Sequence, residues 1–341
     1  MRRRGLLLAA AAAALGAGIA SVPAPAAQAA TGAPNNDPAF LQAYVNNVEN
    51  LPTVGLQCPG DWQDLVHYMK LQTYRPDVFV MQQISNQTQL NSYTARLSQE
   101  FGETYRAVIA EPSPAAMNSP CGAPKDHQTN AVIYRTGRFD LKSDPNAETK
   151  RWQAQSDESG SCANNDQART KAVKVRLHDK AANKDVTVAS VHWPTAASGG
   201  PACAESNAAE AAAELTQDGY GGSLLIFGGD ANITDLDGAA YRGWYAKTNG
   251  DLGGSRGYRD GVYAACAGDK ACLAKNWTLS GTSRRIDFLF ARKGAGGLPA
   301  TSDAHTVTWD EGDAADKQLT GDDRADMNYS DHRAVRVRVH Y

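Results

Sequence analysis

Four short stretches of this chain place side chains that can hold a cation or move a proton beside apolar runs that can hold them still. Near the C-terminus, Ser330-Asp331-His332 sets a carboxylate next to an imidazole, directly before the alternating segment Ala334 to His340. Gly229-Asp230-Ala231-Asn232 follows the apolar run Leu224-Leu225-Ile226-Phe227. Asp287, in Arg285-Ile286-Asp287-Phe288, opens another such run, and His192, in Val191-His192-Trp193-Pro194, closes a third. Side chains two positions apart on a strand share a face, so Asp230 and Asn232 can converge on one group. An imidazole that transfers a proton needs its second ring nitrogen held by a partner, and a carboxylate can do this.

The elements that must carry these residues follow from hydrophobic periodicity. Leu41 to Val48 reads as a first strand ending near Asn47, and Val78 to Met81 as a buried strand. Asn130 to Arg135, Ala172 to Leu177 and Val186 to Val191 read as further strands, with the polar residues of Lys171 to Leu177 facing outward. Helices are expected over Asp61 to Gln72, Gln87 to Glu100 and Asn207 to Leu215. In the first, Asp61 is the cap and Trp62, Leu65, Val66 and Met69 share a face. Arg333 to Arg338 reads as a solvated strand face, and Pro112 to Asp126, Ser198 to Pro201 and Gly250 to Gly257 as loops. There is no internal repeat.

Residues 1–30 have an Arg2-Arg3-Arg4 head, an apolar core from Leu6 to Ala20 and a small-residue cleavage site at Ala27-Gln28-Ala29, the layout of a secretory signal. The apolar run is too short for a membrane anchor and breaks at Pro23 and Pro25. A secreted, extracellular protein without stable membrane insertion is therefore expected, with 31–38 a flexible leader and 39–341 one domain. The sequence does not fix its oligomeric state. Six cysteines in an exported chain imply disulfides, and Cys266 and Cys272 flank a turn-like segment that a short closed loop would suit. No Cys-x-x-Cys spacing supports a structural zinc site.

With Thr129-Asn130-Ala131-Val132-Ile133-Tyr134-Arg135 and Pro76-Asp77-Val78-Phe79-Val80-Met81-Gln82-Gln83, these motifs resemble, in order and from about Val45 to Tyr341, the endonuclease/exonuclease/phosphatase superfamily, whose members are similar to pancreatic-type deoxyribonuclease. The resemblance implies an α+β fold, a four-layer α/β/β/α sandwich of two mixed, mainly antiparallel sheets flanked by helices. It also implies that 39–341 is a catalytic domain hydrolysing phosphoric esters with a divalent metal ion. It assigns Asp230 to orienting or deprotonating the attacking water and Asn232 to holding that water or a phosphoryl oxygen. Asp287 would orient His332, Asp331 would ligate the cation, and His192 would protonate the leaving group or bind the phosphate. Asn47 matches an Asn near the metal, with Asn46 as an alternative one residue away. Asn130 and Arg169 are candidate substrate-binding residues, and Trp193 with Pro194 a candidate pocket wall.

One departure stands out. Where the family carries a metal-ligating Glu, in a pattern like Asp-Val-x-x-Leu-Gln-Glu, this chain has Gln83. An amide oxygen can coordinate but carries no charge, so Mg²⁺, the expected cofactor, with Mn²⁺ and Ca²⁺ as alternatives, would be held weakly. The outcomes are a weak site completed by Asp331 and substrate, a centre relying on His192 and His332, or a catalytically silent phosphate-ligand binder. The full chain has 34 basic and 37 acidic residues. Without Arg2, Arg3 and Arg4 the balance is 31 to 37, a net charge of −6. An acidic body without a Lys/Arg cluster favours a small or lipid-derived phosphodiester over nucleic acid. A deoxyribonuclease-like extracellular nuclease is the second reading, and a phosphomonoesterase remains open.

Overall fold

The computed structural model describes residues 31–48, 62–117, 123, 125–157, 162–164, 166–234, 241–280, 282, 284–308 and 330–341. The expected signal segment, the Asp61 cap, Cys58 and Cys121 lie outside the described residues. In chain order the strands are β1 (Phe40–Asn47), β2 (Val78–Ile84), β3 (Tyr105–Ile109), β4 (Thr129–Arg135), β5 (Phe139–Leu141), β6 (Arg151–Gln153), β7 (Gln155–Ser156) and β8 (Ala163–Asn164). They continue as β9 (Lys171–Asp179), β10 (Lys184–His192), β11 (Leu224–Asp230), β12 (Arg259–Asp260), β13 (Asp287–Lys293), β14 (Thr301–Val307) and β15 (Ala334–His340). The longer helices are α1 (Trp62–Leu71), α2 (Gln87–Phe101) and α3 (Gly200–Glu214).

One sheet runs β14-β15-β1-β2-β4-β3 and the other β12-β13-β11-β10-β9-β5, with β6 also on β9 and β7–β8 as a separate ribbon. The pairs β1–β2 and β10–β11 are parallel and the other strand pairs antiparallel. Four layers result, because each sheet buries both faces. Between the sheets, Val45, Val80, Val132 and Val337 meet Val175, Val188, Ile226 and Leu289. Outside the first sheet, Tyr44, Phe79 and Ile133 pack under Leu65, Met69, Leu90 and Leu97 of α1 and α2. Outside the second, Ala189, Leu225 and Phe288 pack under Ala204, Ala208 and Ala211 of α3. All eight residues of β1 are buried, as a central strand covered on both faces requires. The α2 helix starts where Asn86 Oδ1 accepts from Gln89 N and stops at Gly102, whose left-handed φ of 65° turns the chain into β3.

Several expectations are corrected. The 31–38 leader is not free: Asn35 is fully buried and its Nδ2 donates to Asp77 Oδ2 (2.7 Å) and Phe40 O (3.0 Å). The polar side of β9 is not wholly open to water: Lys174 is buried with its Nζ 2.6 Å from Glu214 Oε2 at the end of α3 and over the Tyr220 ring, while Arg176 stays partly exposed. Arg336 of β15 is likewise buried and pairs with Asp303 of β14 (2.8 Å). Gly200 and Pro201, read as loop, begin α3, where a Cβ on Gly200 would fall 1.7 Å from Pro194 O. Disulfides join Cys266 to Cys272, as expected, and Cys162 to Cys203 on α3.

Candidate active site

Three adjacent strands set their chemical residues on one rung. β10, β11 and β13 pair in register as His192↔Asp230 and Asp230↔Asp287, and paired residues of neighbouring strands project from the same face. Opposite this rung the first sheet contributes the end of β1, where Asn47 pairs with Gln82, and the segment Ser330 to His332 leading into β15. The sheets can approach here because two glycines precede Asp230 at the end of β11. A Cβ on Gly228 would lie 2.6 Å from Val45 Cγ2, and one on Gly229 3.1 Å from Gln82 Nε2, both across the sheets. Ser190 and Gln82 fasten the contact: Ser190 Oγ donates to Met81 O (2.8 Å) and accepts from Gln82 Nε2 (2.9 Å).

His332 is fixed along both its backbone and its ring. Its N–H donates to Ser330 Oγ (3.0 Å), its carbonyl accepts from Asn46 Nδ2 (3.1 Å), and its Nδ1 lies 2.8 Å from Asp287 Oδ2. Ser330 Oγ donates to Asn47 O (2.5 Å) and lies 3.4 Å from Asp331 Oδ1, so one hydroxyl ties these segments together. The free side of the ring, Nε2, faces Asp230 Oδ2 and Asp331 Oδ1, each at 3.9 Å. Asp230 is the hub. Its Oδ2 accepts from Asn47 Nδ2 (3.2 Å) and lies 3.5 Å from His192 Nε2, while its Oδ1 accepts from Asn232 N (2.8 Å). Of the two candidate amides, Asn47 reaches Asp230 and Asn46 buttresses His332.

Electrostatics separate the two imidazoles. Burial alone would lower the His332 pKa, but Asp287, Asp331 and Asp230 outweigh it and push the ring up to about 10, so it stays charged at neutral pH. His192 is pulled down to about 4, first by burial and further by the charges of Arg169 and His332, with Asp230 opposing. Burial and then the Asp287 charge raise Asp230, and burial with Asp230 and Asp287 raises Asp331. Carboxylate oxygens of Asp230 and Asp287 lie within 4.8 Å of each other and of the His332 ring, and buried Asn47 Oδ1 has no hydrogen-bond partner. Crowded carboxylates beside an unpartnered amide oxygen suit a hard divalent cation, so the residues present fit the expected metal.

Two site residues have a left-handed backbone that non-glycine residues seldom adopt, Gln83 at φ +61° and Asn232 at φ +53°. Gln83 lies in the register shift between Met81 and Ile84 of β2, and its Oε1 accepts from Gln128 Nε2 (3.1 Å). Asn232 gives its Nδ2 to Trp193 O (2.7 Å). Trp193 does not wall the site: strand alternation that turns His192 inward turns Trp193 outward, where it packs edge-on to Trp244 at 5.2 Å in the buried layer under α3. Asn130 donates to Arg169 O (3.0 Å) and Lys171 O (2.8 Å), so its amide braces the turn bearing Arg169. Arg169 is near enough for its charge to bear on His192.

Sequence reasoning missed Ser330 as a tie, although it lies inside the flagged motif, and missed Thr278. Thr278 Oγ1 accepts from Ile286 N (2.9 Å) and Asp287 N (3.1 Å), and its carbonyl accepts from Arg333 N (2.7 Å). It thus joins the two segments that carry the His332–Asp287 pair, a long-range role without a local signal.

No family model and no curated protein sequence matches this chain. Its fold is shared with solved structures. An endonuclease/exonuclease/phosphatase from Bacteroides vulgatus is 13% identical, with 88% of this chain and 98% of that one covered and a TM-score of 0.55. The human Nocturnin catalytic domain with bound sulfate anion is 13% identical, with 89% and 94% covered and a TM-score of 0.55. D. rerio TDP2 complexed with single strand DNA product is 14% identical, with 89% and 99% covered and a TM-score of 0.54. The likeness runs over nearly the whole of each of these chains and shows a common endonuclease/exonuclease/phosphatase fold.

Proposed function

We propose that this chain is a secreted, metal-dependent phosphoric diester hydrolase. The observation that carries the reading is the rung His192–Asp230–Asp287 closed by His332, two imidazoles set around one carboxylate. Hydrolysis of a phosphodiester needs an oriented water, charge relief on the phosphoryl oxygens and a proton for the leaving oxygen. Asp230, raised by burial and Asp287, orients the water and takes its proton. His332, charged and backed by Asp287, gives its Nε2 proton to the departing oxygen. His192, uncharged, hydrogen-bonds a phosphoryl oxygen, with Asn232 holding the water and Arg169 adding positive charge. Asn47 Oδ1 and the Asp331 carboxylate would hold the cation, and Gln83 Oε1, which already accepts from Gln128, would join them through its second lone pair. When bound, a divalent ion supplies a charge sink for the phosphoryl oxygens.

A small or lipid-derived diester is the substrate class we favour, supported by the net charge of −6 that remains without residues 1–30 and by the lack, in residues 31–341, of a Lys/Arg cluster longer than Arg333 to Arg338. The test assays the purified mature protein, with and without chelator, on bis(p-nitrophenyl) phosphate, glycerophosphodiesters, phospholipid vesicles, plasmid DNA and RNA. Chelator-sensitive turnover of small diesters is expected. DNA cleavage with no action on small diesters would reverse the substrate assignment. No turnover of any substrate with Mg²⁺, Mn²⁺ or Ca²⁺ would leave a phosphate-ligand binder.

A further inference from the structure

Beside the catalytic rung lies a cavity of about 280 Å³, lined by Ala115, Ala116 and Met117 after β3, by Gln128, and by the turn Asp166 to Arg169 before β9. Two of its walls are shared with the site. Gln128 is hydrogen-bonded to Gln83 at the end of β2, and Arg169, held by Asn130 through its backbone, acts electrostatically on His192. A phosphate seated at His192 and Arg169 would stand beside the turn that walls this cavity. Its volume is at the small end for ligand pockets, room for one headgroup and too little for an acyl chain or a duplex.

The lining is mostly methyl and thioether surface on one side, with one exposed carboxylate, Asp166, three residues before Arg169. A positive group nearer the phosphate centre and a negative one farther along the same turn mirror the charges of a zwitterionic headgroup, an anionic phosphate followed by an ammonium. A nucleotide has no such cation to offer Asp166. We propose that the cavity is a specificity subsite for the amino-alcohol arm of the substrate, with Asp166 facing the ammonium and Met117, Ala115 and Ala116 covering its methylene or methyl groups. This rests on the phosphodiesterase reading for the placement of the phosphate, and names the substrate class within it.

Binding tests the subsite without requiring turnover. Phosphocholine and methyl phosphate, identical at the phosphate and different in the ammonium arm, are titrated calorimetrically into the wild type, Asp166→Asn and Asp166→Glu. The wild type should bind phosphocholine about threefold to fivefold more tightly than methyl phosphate, the range of one partly solvated ion pair. That ratio should fall to about one in Asp166→Asn and return in Asp166→Glu. A ratio of one in the wild type, a ratio retained in Asp166→Asn, or tighter binding of cytidine 5′-monophosphate than of phosphocholine overturns the proposal. An Asp166-dependent ratio in a protein that turns over no diester would sustain the subsite while sinking the hydrolase reading. Turnover that prefers glycerophosphocholine to glycerophosphoglycerol supports the subsite with a free diester as source. A preference for phosphatidylcholine over phosphatidylglycerol vesicles supports it with a lipid, and the opposite preference in both pairs counts against it.

Discussion

Where β1 and β2 begin, the buried Asp77 carboxylate accepts from Arg135 (Nε 3.1 Å, Nη2 2.9 Å), Arg138 Nη1 (3.0 Å), Asn35 Nδ2 (2.7 Å) and Gln42 N (2.8 Å). Arg138 continues to Asp179 Oδ2 at 2.7 Å and Arg135 to Glu103 at 3.0 Å, so acids and bases alternate with their hydrogen bonds met. Where the same strands end, Asp230, Asp287 and Asp331 crowd about a single charged imidazole. There Asn47 Oδ1, His192 Nδ1 and Asp287 Oδ1 are buried without partners. Both ends bury charge under the same two sheets. The difference lies in compensation: a saturated network locks chain segments together, whereas unpaired polar atoms are what a site for an outside ligand requires.

The largest effect should come from the uncompensated end. Asp230→Ala or His332→Ala is expected to cost about 10²- to 10⁴-fold in kcat, as loss of an acid–base group does, while the melting temperature of Asp230→Ala stays within a few degrees of wild type. A variant that melts early but retains turnover would place these residues in the scaffold. The opposite pattern is expected of Asp77→Ala, which strands two buried guanidinium groups and should destabilise by about 3–5 kcal/mol in chemical denaturation. Its kcat, measured well below its melting temperature, should remain near wild type, and a selective loss of kcat would erase the distinction between the two ends.

The two ends also differ in how far sequence alone reveals them. Asp230, Asp287, His192 and His332 were legible because each sits at the edge of an apolar run, and a strand end is a local signal. The balanced end was not. Asn35 lies in a small polar segment that composition reads as loose, yet it is ordered by Asp77, 42 residues away, and its carbonyl accepts from Arg138 Nη1, 103 residues away. Lys174 and Arg336 failed for a related reason. A period of two tells that a strand has two faces, not that α3 or the neighbouring strand β14 supplies an acid to cover the polar one. Trp193 was misread because adjacency in sequence to His192 places it on the opposite face.

Asp287→Asn sharpens the comparison from within the site. It removes the first of the charges that raise His332, so a roughly 10²-fold loss of kcat is expected, together with an imidazole that titrates well below about 10 by NMR. The sign for stability follows. A histidine whose folded pKa is raised contributes stability below its unfolded pKa of 6.5 and loses it as pH rises through about 10. The variant should therefore be most destabilised below pH 6.5 and approach wild type near pH 10; a pH-independent difference would leave Asp287 a packing role only. A smaller effect is expected for Gln83→Glu, which gives the cation a charged oxygen while Gln128 can still donate to it. The Mg²⁺ or Mn²⁺ concentration for half-maximal rate should fall about tenfold. Unchanged metal dependence with a large loss of activity would exclude Gln83 from a cation site.

Glu210 tests whether a half-buried acid of raised pKa is enough to mark a site, because it lies on α3, away from the catalytic rung. Burial first, then the charge of Glu214, raises its pKa from 4.5 to about 7, while Glu214 itself is taken by Lys174. No chemical role is assigned to it, so its only expected consequence is on stability. An acid raised in the folded state leaves its stability intact below the unfolded pKa of 4.5 and loses it as pH climbs through about 7. Glu210→Gln should thus match wild type in melting temperature at pH 4 and exceed it at pH 8. The gain should be about 1 kcal/mol, discounted for the solvent that reaches this half-buried side chain. Turnover at pH 7 should not change. A melting difference of equal size at pH 4 and pH 8 would show that the carboxylate is not displaced. A loss of activity would mean that the chemistry extends beyond the rung, and that compensation alone does not divide the two ends of the sandwich.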